Sequence, residues 1–124
     1  MSGKKVLVVD DSPSVRQQVS LTLSQAGYQV VEAGDGLEGI SKVDEDGGIG
    51  MLICDVNMPR MNGLEMLEKI KSDGKHSQLP VIMLTSEGQP SLIERAKKAG
   101  AKGWIVKPFK AHLLVATVSK LLPV

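Results

Sequence analysis

The fold this sequence predicts is α/β: a doubly wound five-stranded parallel sheet with helices on both faces. Three features predict it. Short apolar runs alternate with segments whose apolar residues recur at helical spacing. That alternation repeats about five times along 124 residues, with no internal sequence repeat and no linker, so residues 1–124 read as one domain. The runs are continuously apolar, as in strands buried on both faces, where a one-sided sheet would show alternation. Parallel neighbours need right-handed crossovers, so the strands all end on one edge of the sheet.

The first strand is Val6 to Asp10. Ser12 then serves as a helix N-cap with Pro13 at the first helical position, and Val15, Val19, Leu23 and Ala26 form an apolar stripe up to Gly27. Gln29 to Ala33 is the second strand, closed by the turn Gly34-Asp35-Gly36. Leu37, Ile40 and Val43 or Asp44 mark a short second helix. The glycines between Glu45 and Gly50 predict a loop. Met51 to Asp55 is the third strand, and Met58-Pro59 prevents its continuation. A helix starting at Gly63 carries Leu64, Leu67 and Ile70 on one face, followed by a polar connection from Ser72 to Gln78. Pro80 opens the fourth strand, Val81 to Thr85. The fourth helix, about Pro90 to Ala99, turns Leu92, Ile93 and Ala96 inward, and Gly100 is its left-handed C-terminal cap. Trp104 to Val106 is the fifth strand, stopped at Lys107-Pro108. The last helix uses Leu113, Leu114, Val115, Val118, Leu121 and Leu122 to cover the sheet.

Composition narrows the function. Fifteen basic and fourteen acidic side chains give a net charge of +1, which removes the bulk electrostatic case for nucleic acid or an anionic membrane. The single cysteine, Cys54, lies inside an apolar strand and reads as a small core residue. No segment approaches the roughly 20 apolar residues of a membrane span, and the apolar run after the first two lysines is too short for a signal peptide. A cytoplasmic location is expected. His76, in a polar loop, and His112, on the last helix, read as surface residues.

Parallel sheets bind ligands at the carboxyl ends of their strands. Asp10 and Asp11, Asp55, Thr85 and Lys107 all fall on that edge. Taken singly each has a plainer reading: an Asp after a strand is commonly a turn residue or cap, a threonine belongs in a strand, and a lysine is usually solvated. Together they are four strand ends delivering matched chemistry to one crevice. Three carboxylates about 5 Å apart repel by roughly 3 kcal/mol per pair at an effective dielectric near 20, so the site wants a cation. All-oxygen ligands select a hard divalent ion, with Mg²⁺ the usual choice where a phosphate adds oxygens. A magnesium beside a lysine suits phosphoryl transfer, and Asp55, alone at the end of the central strand, is the candidate nucleophile for an aspartyl phosphate. Lys107 and Thr85 are then candidates for contacts to the phosphoryl oxygens.

The fragments VDD, CDVNMP, MLTS and VKPF together resemble the receiver domain of two-component response regulators, over nearly the whole chain and most closely in its stand-alone chemotaxis (CheY) branch. The resemblance implies strand order 2-1-3-4-5. It also implies a phosphorylation-activated switch that is not an enzyme beyond its own phosphorylation and dephosphorylation. Asp55 would accept a phosphoryl group from the phosphohistidine of a sensor histidine kinase of the CheA kind. Asp11 and Asp55 would bind Mg²⁺ directly with the backbone carbonyl of Asn57, and Asp10 through water. Thr85 and Lys107 would meet the phosphoryl oxygens. Trp104 falls on the switch-aromatic position, where this branch usually carries tyrosine; its plainer reading is a half-buried packing residue. Asn57 and Glu87 would flank the path of the attacking water and tune dephosphorylation.

The implied partners are that kinase and a phosphorylation-dependent protein target such as a flagellar motor switch protein, with no direct nucleic acid, no membrane, and a monomeric state. No output domain follows Val124 in the sequence, so direct control of transcription is not expected. Three competing readings remain. An aspartate-based phosphohydrolase of the haloacid dehalogenase class would need a second aspartate where Asn57 stands. A flavodoxin-like FMN carrier would meet a repelling Asp-Asp-Ser-Pro turn and only three aromatic residues. A single-domain receiver in a non-chemotaxis phosphorelay would keep the fold and change the output.

Overall fold

The computed structural model describes residues 4–123. Its elements are β1 (Lys5–Val9), α1 (Pro13–Gln25), β2 (Gln29–Ala33), α2 (Gly36–Glu45), β3 (Ile49–Cys54), α3 (Gly63–Ser72), β4 (Val81–Thr85), α4 (Pro90–Ala99), β5 (Gly103–Val106) and α5 (Ala111–Leu121). All strand pairings are parallel and the order is β2-β1-β3-β4-β5. None of the described helices is long and apolar enough to cross a membrane.

The continuous apolar runs are explained by two cores, one on each face. Leu7, Val9, Leu52, Cys54, Val81 and Met83 pack under α2, α3 and α4, against residues such as Val43, Leu67, Ile70 and Ala96. The intervening strand residues Val6, Val8, Met51, Ile53, Ile82 and Leu84 pack under Val19 and Leu23 of α1 and Leu114 and Val118 of α5. Alternate side chains of one strand face opposite ways, so burying both faces makes every position apolar.

Helix starts follow the predicted chemistry. Ser12 Oγ accepts from the Val15 N–H with Pro13 next in line, and Asp35 Oδ1 accepts from the Glu38 N–H at 2.9 Å. Asn62 and Glu65 form a reciprocal capping box, each side chain accepting the other's backbone N–H. Gly100 ends α4 at φ 105°, the left-handed geometry predicted for it.

Three expectations need correction. Residues 45–50 are not all loop: β3 starts at Ile49 and includes Gly50. Gly50 falls at a register shift in the β1–β3 ladder, where Lys5 pairs with Ile49 and Val6 with Met51, and a Cβ there would lie 3.0 Å from Leu122 Cδ1. Leu113 does not cover the sheet. It is 52% exposed, and α5 presents Leu114 and Val118 inward instead. Leu37 is also exposed, because α2 turns Gly36, Gly39 and Val43 to the core. At Gly39 a Cβ would come within 2.7 Å of Met66 Sδ, so the missing side chain lets α2 sit close to α3. At strand ends, Asp10 and Asp55 lie one residue beyond β1 and β3, which places both on the rim.

Candidate functional site

The register of the central pair builds the site. Val9 is level with Cys54 across β1 and β3, so the next residues, Asp10 and Asp55, emerge side by side. Each is held by one more rung of the ladder: the Asp55 N–H donates to Val9 O and the Asp10 N–H to Ala33 O, both at 3.1 Å. Both side chains are buried, while Asp11 is exposed at the rim. The three carboxylates converge, each offering an oxygen within 4.8 Å of the others.

Lys107 answers part of that charge. It follows β5, where Val106 is level with Thr85, and its N–H donates to Thr85 O at 2.8 Å. The ammonium reaches Asp10 Oδ2 at 2.8 Å and Asp55 Oδ2 at 3.0 Å. Burial alone would lower its pKa, but the hydrogen bonds and charges of the two carboxylates outweigh burial and hold it above the usual lysine range. The peptide bond from Lys107 to Pro108 is cis. Three carboxylates and one ammonium leave the crevice with two negative charges in excess.

The other carboxylate oxygens are also in use. Asp10 Oδ1 accepts from the Ser12 N–H at 2.9 Å, and Asp55 Oδ1 from the Val56 N–H at 2.7 Å. These bonds fix the rotamers of two groups that repel each other. The donor set therefore fits a hard divalent cation: oxygen ligands only, excess negative charge, and no nearby thiolate. Cys54 is adjacent in sequence, but its thiol points into the core, 3.5 Å from Met83 Sδ, and burial pushes it far up, helped by Asp55 and Asp10.

Thr85, Glu87 and Trp104 form a connected group beside the carboxylates. Thr85 is fully buried at the end of β4, and its Oγ1 accepts from the Glu87 N–H at 3.2 Å. The Trp104 indole is half-buried and donates from Nε1 to Glu87 O at 2.9 Å. One residue thus touches both expected switch positions through its backbone. Asn57 is exposed in the loop between β3 and α3.

Sequence reasoning missed what anchors that loop. Gly63 is required because a Cβ would lie 1.9 Å from the Asp55 carbonyl oxygen, so α3 starts directly against the Asp55 backbone. Arg60 adopts φ 64° and clamps Asp35 Oδ2 from Nε at 2.9 Å and Nη2 at 2.5 Å. The Glu38 N–H and Arg60 together hold the Asp35 carboxyl below its ordinary range. A glycine at a helix start was visible in the sequence, but the carbonyl it must clear was not. Arg16 is a second such anchor, donating to Asp10 O at 2.5 Å and to Glu32 Oε1 at 3.1 Å.

The family model for the response regulator receiver domain matches residues 6–119. The chain is 44% identical over 111 residues to chemotaxis protein CheY1 of Helicobacter pylori, covering 89% of this chain and 90% of that protein. It is 40% identical over 111 residues to a chemotaxis protein CheY homolog of Campylobacter jejuni, covering 89% and 85%. Among solved structures, Vibrio cholerae chemotaxis protein CheY4 superposes with a TM-score of 0.91 at 41% identity, covering 98% of this chain and all of that one. A CheY-like receiver domain protein from Methanospirillum hungatei gives 0.89 at 27% identity, covering 96% and 93%. The chain belongs to the response regulator receiver domain family, whose members are phosphorylation-activated switches of two-component signalling.

Proposed function

We propose that residues 1–124 act as a single receiver domain in chemotaxis signalling, with Asp55 as phosphoacceptor. The kinase would be a CheA-like histidine kinase, and the phosphorylated form would bind a flagellar motor switch protein. The carrying observation is the β1–β3 register, which sets Asp10 and Asp55 side by side beneath the Lys107 ammonium. The chemotaxis proteins to which the chain is similar, each matched over most of its length, support the pathway.

In the reaction, an Asp55 carboxylate oxygen forms a bond to phosphorus as the bond from phosphorus to the kinase imidazole nitrogen breaks, and the imidazole leaves. Lys107 can shift one of its hydrogen bonds from Asp55 to an incoming phosphoryl oxygen without leaving the crevice. The Thr85 hydroxyl spends an acceptor lone pair on the Glu87 N–H, so its proton stays available for another oxygen. Asp11, Asp55 and the Asn57 carbonyl would hold Mg²⁺, with Asp10 acting through water. The ion, when bound, supplies positive charge where negative charge accumulates on the phosphoryl oxygens.

Switching follows from the shared backbone of Glu87. Drawing Thr85 toward a phosphoryl group pulls on the Glu87 N–H, and Glu87 O holds the Trp104 indole. Trp104 reports the change, so its fluorescence is expected to shift when Mg²⁺ and a phosphoryl mimic are added together; an unchanged signal counts against the coupling. Asn57 and Glu87 are too small to seal the site from water, so the phosphorylated form is expected to decay within seconds to minutes. The primary test is labelling by acetyl phosphate: the native chain takes up label in a Mg²⁺-dependent way, and Asp55→Asn falls to background. Normal labelling of that variant would overturn the assignment.

A further inference from the structure

Outside the acidic crevice, a second group of metal-ligating side chains gathers where α2 and α3 end. Asp44 belongs to the last turn of α2, Asp73 is the C-cap of α3, and His76 follows three residues later. Each offers one ligating atom within 4.8 Å of the other two. His76 Nε2 and Asp44 Oδ1 are already 3.0 Å apart. Two ligands of a tetrahedral zinc ion with bonds near 2.0 Å stand roughly 3.3 Å apart, so this pair needs almost no rearrangement.

A separate feature of the fold also favours a cation here. Both helices direct their carboxyl ends at the cluster, and a helix C-terminus carries about half a negative charge. Two carboxylates thus sit in a field that repels them. Asp73 Oδ1 accepts the backbone N–H of Lys75 at 2.9 Å, and Lys42, Lys69 and Lys71 in the last turns of the two helices offset part of that field. The His76 side chain is 22% exposed, so it is held against the protein yet reachable.

We propose that Asp44, Asp73 and His76 form a binding site for a borderline divalent transition metal, with zinc the best match, which ties the end of α2 to the end of α3. The donor set differs from that of the acidic crevice. One imidazole nitrogen with two carboxylate oxygens favours zinc or its neighbours over magnesium, whereas three carboxylates favour the harder ion. The metal takes the Nε2 lone pair of His76, so a proton on that nitrogen is released to solvent or, by tautomeric exchange, carried on Nδ1. Asp73 closes on the ion through its second oxygen, and water completes the shell.

The test is calorimetric titration of the intact chain with zinc chloride in excess Mg²⁺, which occupies the crevice. A single zinc ion is expected to bind. Its affinity should fall by at least about tenfold in His76→Ala and in Asp44→Asn, since loss even of a supporting group costs a metal site that much. Asp55→Asn and His112→Ala should leave it unchanged. Zinc should also raise the thermal midpoint of the native chain and not that of His76→Ala, with circular dichroism showing both folded beforehand. No zinc binding under these conditions, or binding lost in Asp55→Asn and kept in His76→Ala, would overturn the site. Since the acetyl phosphate assay does not involve these residues, failure here leaves the phosphoacceptor assignment standing, and the reverse also holds.

Discussion

The first three helices and the last two begin differently. Side chains of Ser12, Asp35 and Asn62 cap α1, α2 and α3, whereas neither Gln89 before α4 nor Lys110 before α5 makes a side-chain cap bond. The edges of the sheet divide the same way. On the β2 side, Arg16 and Ser20 bind Glu32, and Arg60 binds Asp35. On the β5 side, Val106 is 49% exposed, Leu113 is exposed, and the salt bridge between α4 and α3, Arg95–Glu68, lies at the surface outside the core that Ala96 shares with Leu67 and Ile70. Such pairs contribute little. The half that holds the carboxylates has its helix starts capped by side chains, whereas the half that carries Trp104 relies on packing and on the indole bond to Glu87 O. On the proposed role of Asp55, a phosphoryl group there would add a dianion beside the capped helices, and the adjustment would fall to the half with the lower cost of local rearrangement.

Several substitutions test that division. The largest stability effect is expected for Lys107→Ala, which leaves the buried Asp10 and Asp55 carboxylates facing each other. We expect a loss of about 2 kcal/mol in urea unfolding near neutral pH, discounted from a fully buried pair because Lys107 is partly exposed. Added Mg²⁺ should recover part of it. Because the Lys107 pKa is raised on folding, its contribution is complete below the usual lysine value of 10.5 and is lost as pH rises through the higher folded value. The gap between native and variant should hold through neutral pH and close only in that alkaline window.

The caps give the next effect. Asn62→Ala should cost about 1 kcal/mol, and Gln89→Ala should change stability by less than about 0.5 kcal/mol. Equal losses would remove the contrast between the halves. Gln89→Asp sharpens it in the other direction: a new cap on α4 should add roughly 0.5–1 kcal/mol and reduce the Trp104 fluorescence response. Arg95→Ala is the smallest, within about 0.5 kcal/mol and fading with added salt, as measured by thermal unfolding in low and high salt.

Much of this architecture was readable because local rules and the global fold agree. Ser12-Pro13 and Gly100 each state a helix boundary, and the runs at Val6, Met51 and Val81 could only be strands buried on two faces. The failures have a common cause. Gly50 carries a local loop preference that the ladder with β1 overrides. Leu113 and Leu114 are indistinguishable until the rotation of α5 against the sheet chooses between them. Arg60 announced itself as a charged loop residue and gave no sign of its left-handed backbone or its hold on Asp35.

From the amino-acid string alone came the strand ends to within a residue, and the side chains at the rim, because apolar runs, prolines and glycines act over a few positions and leave a local trace. What required the folded chain was which oxygen meets which proton. The level of Asp10 against Asp55, the reach of Lys107 between them, the carbonyl that Gly63 must clear and the meeting of His76 with Asp44 all join residues far apart in sequence. Such contacts depend on register and on the angle at which helices pack, and those are settled only when both faces of the sheet are covered at once.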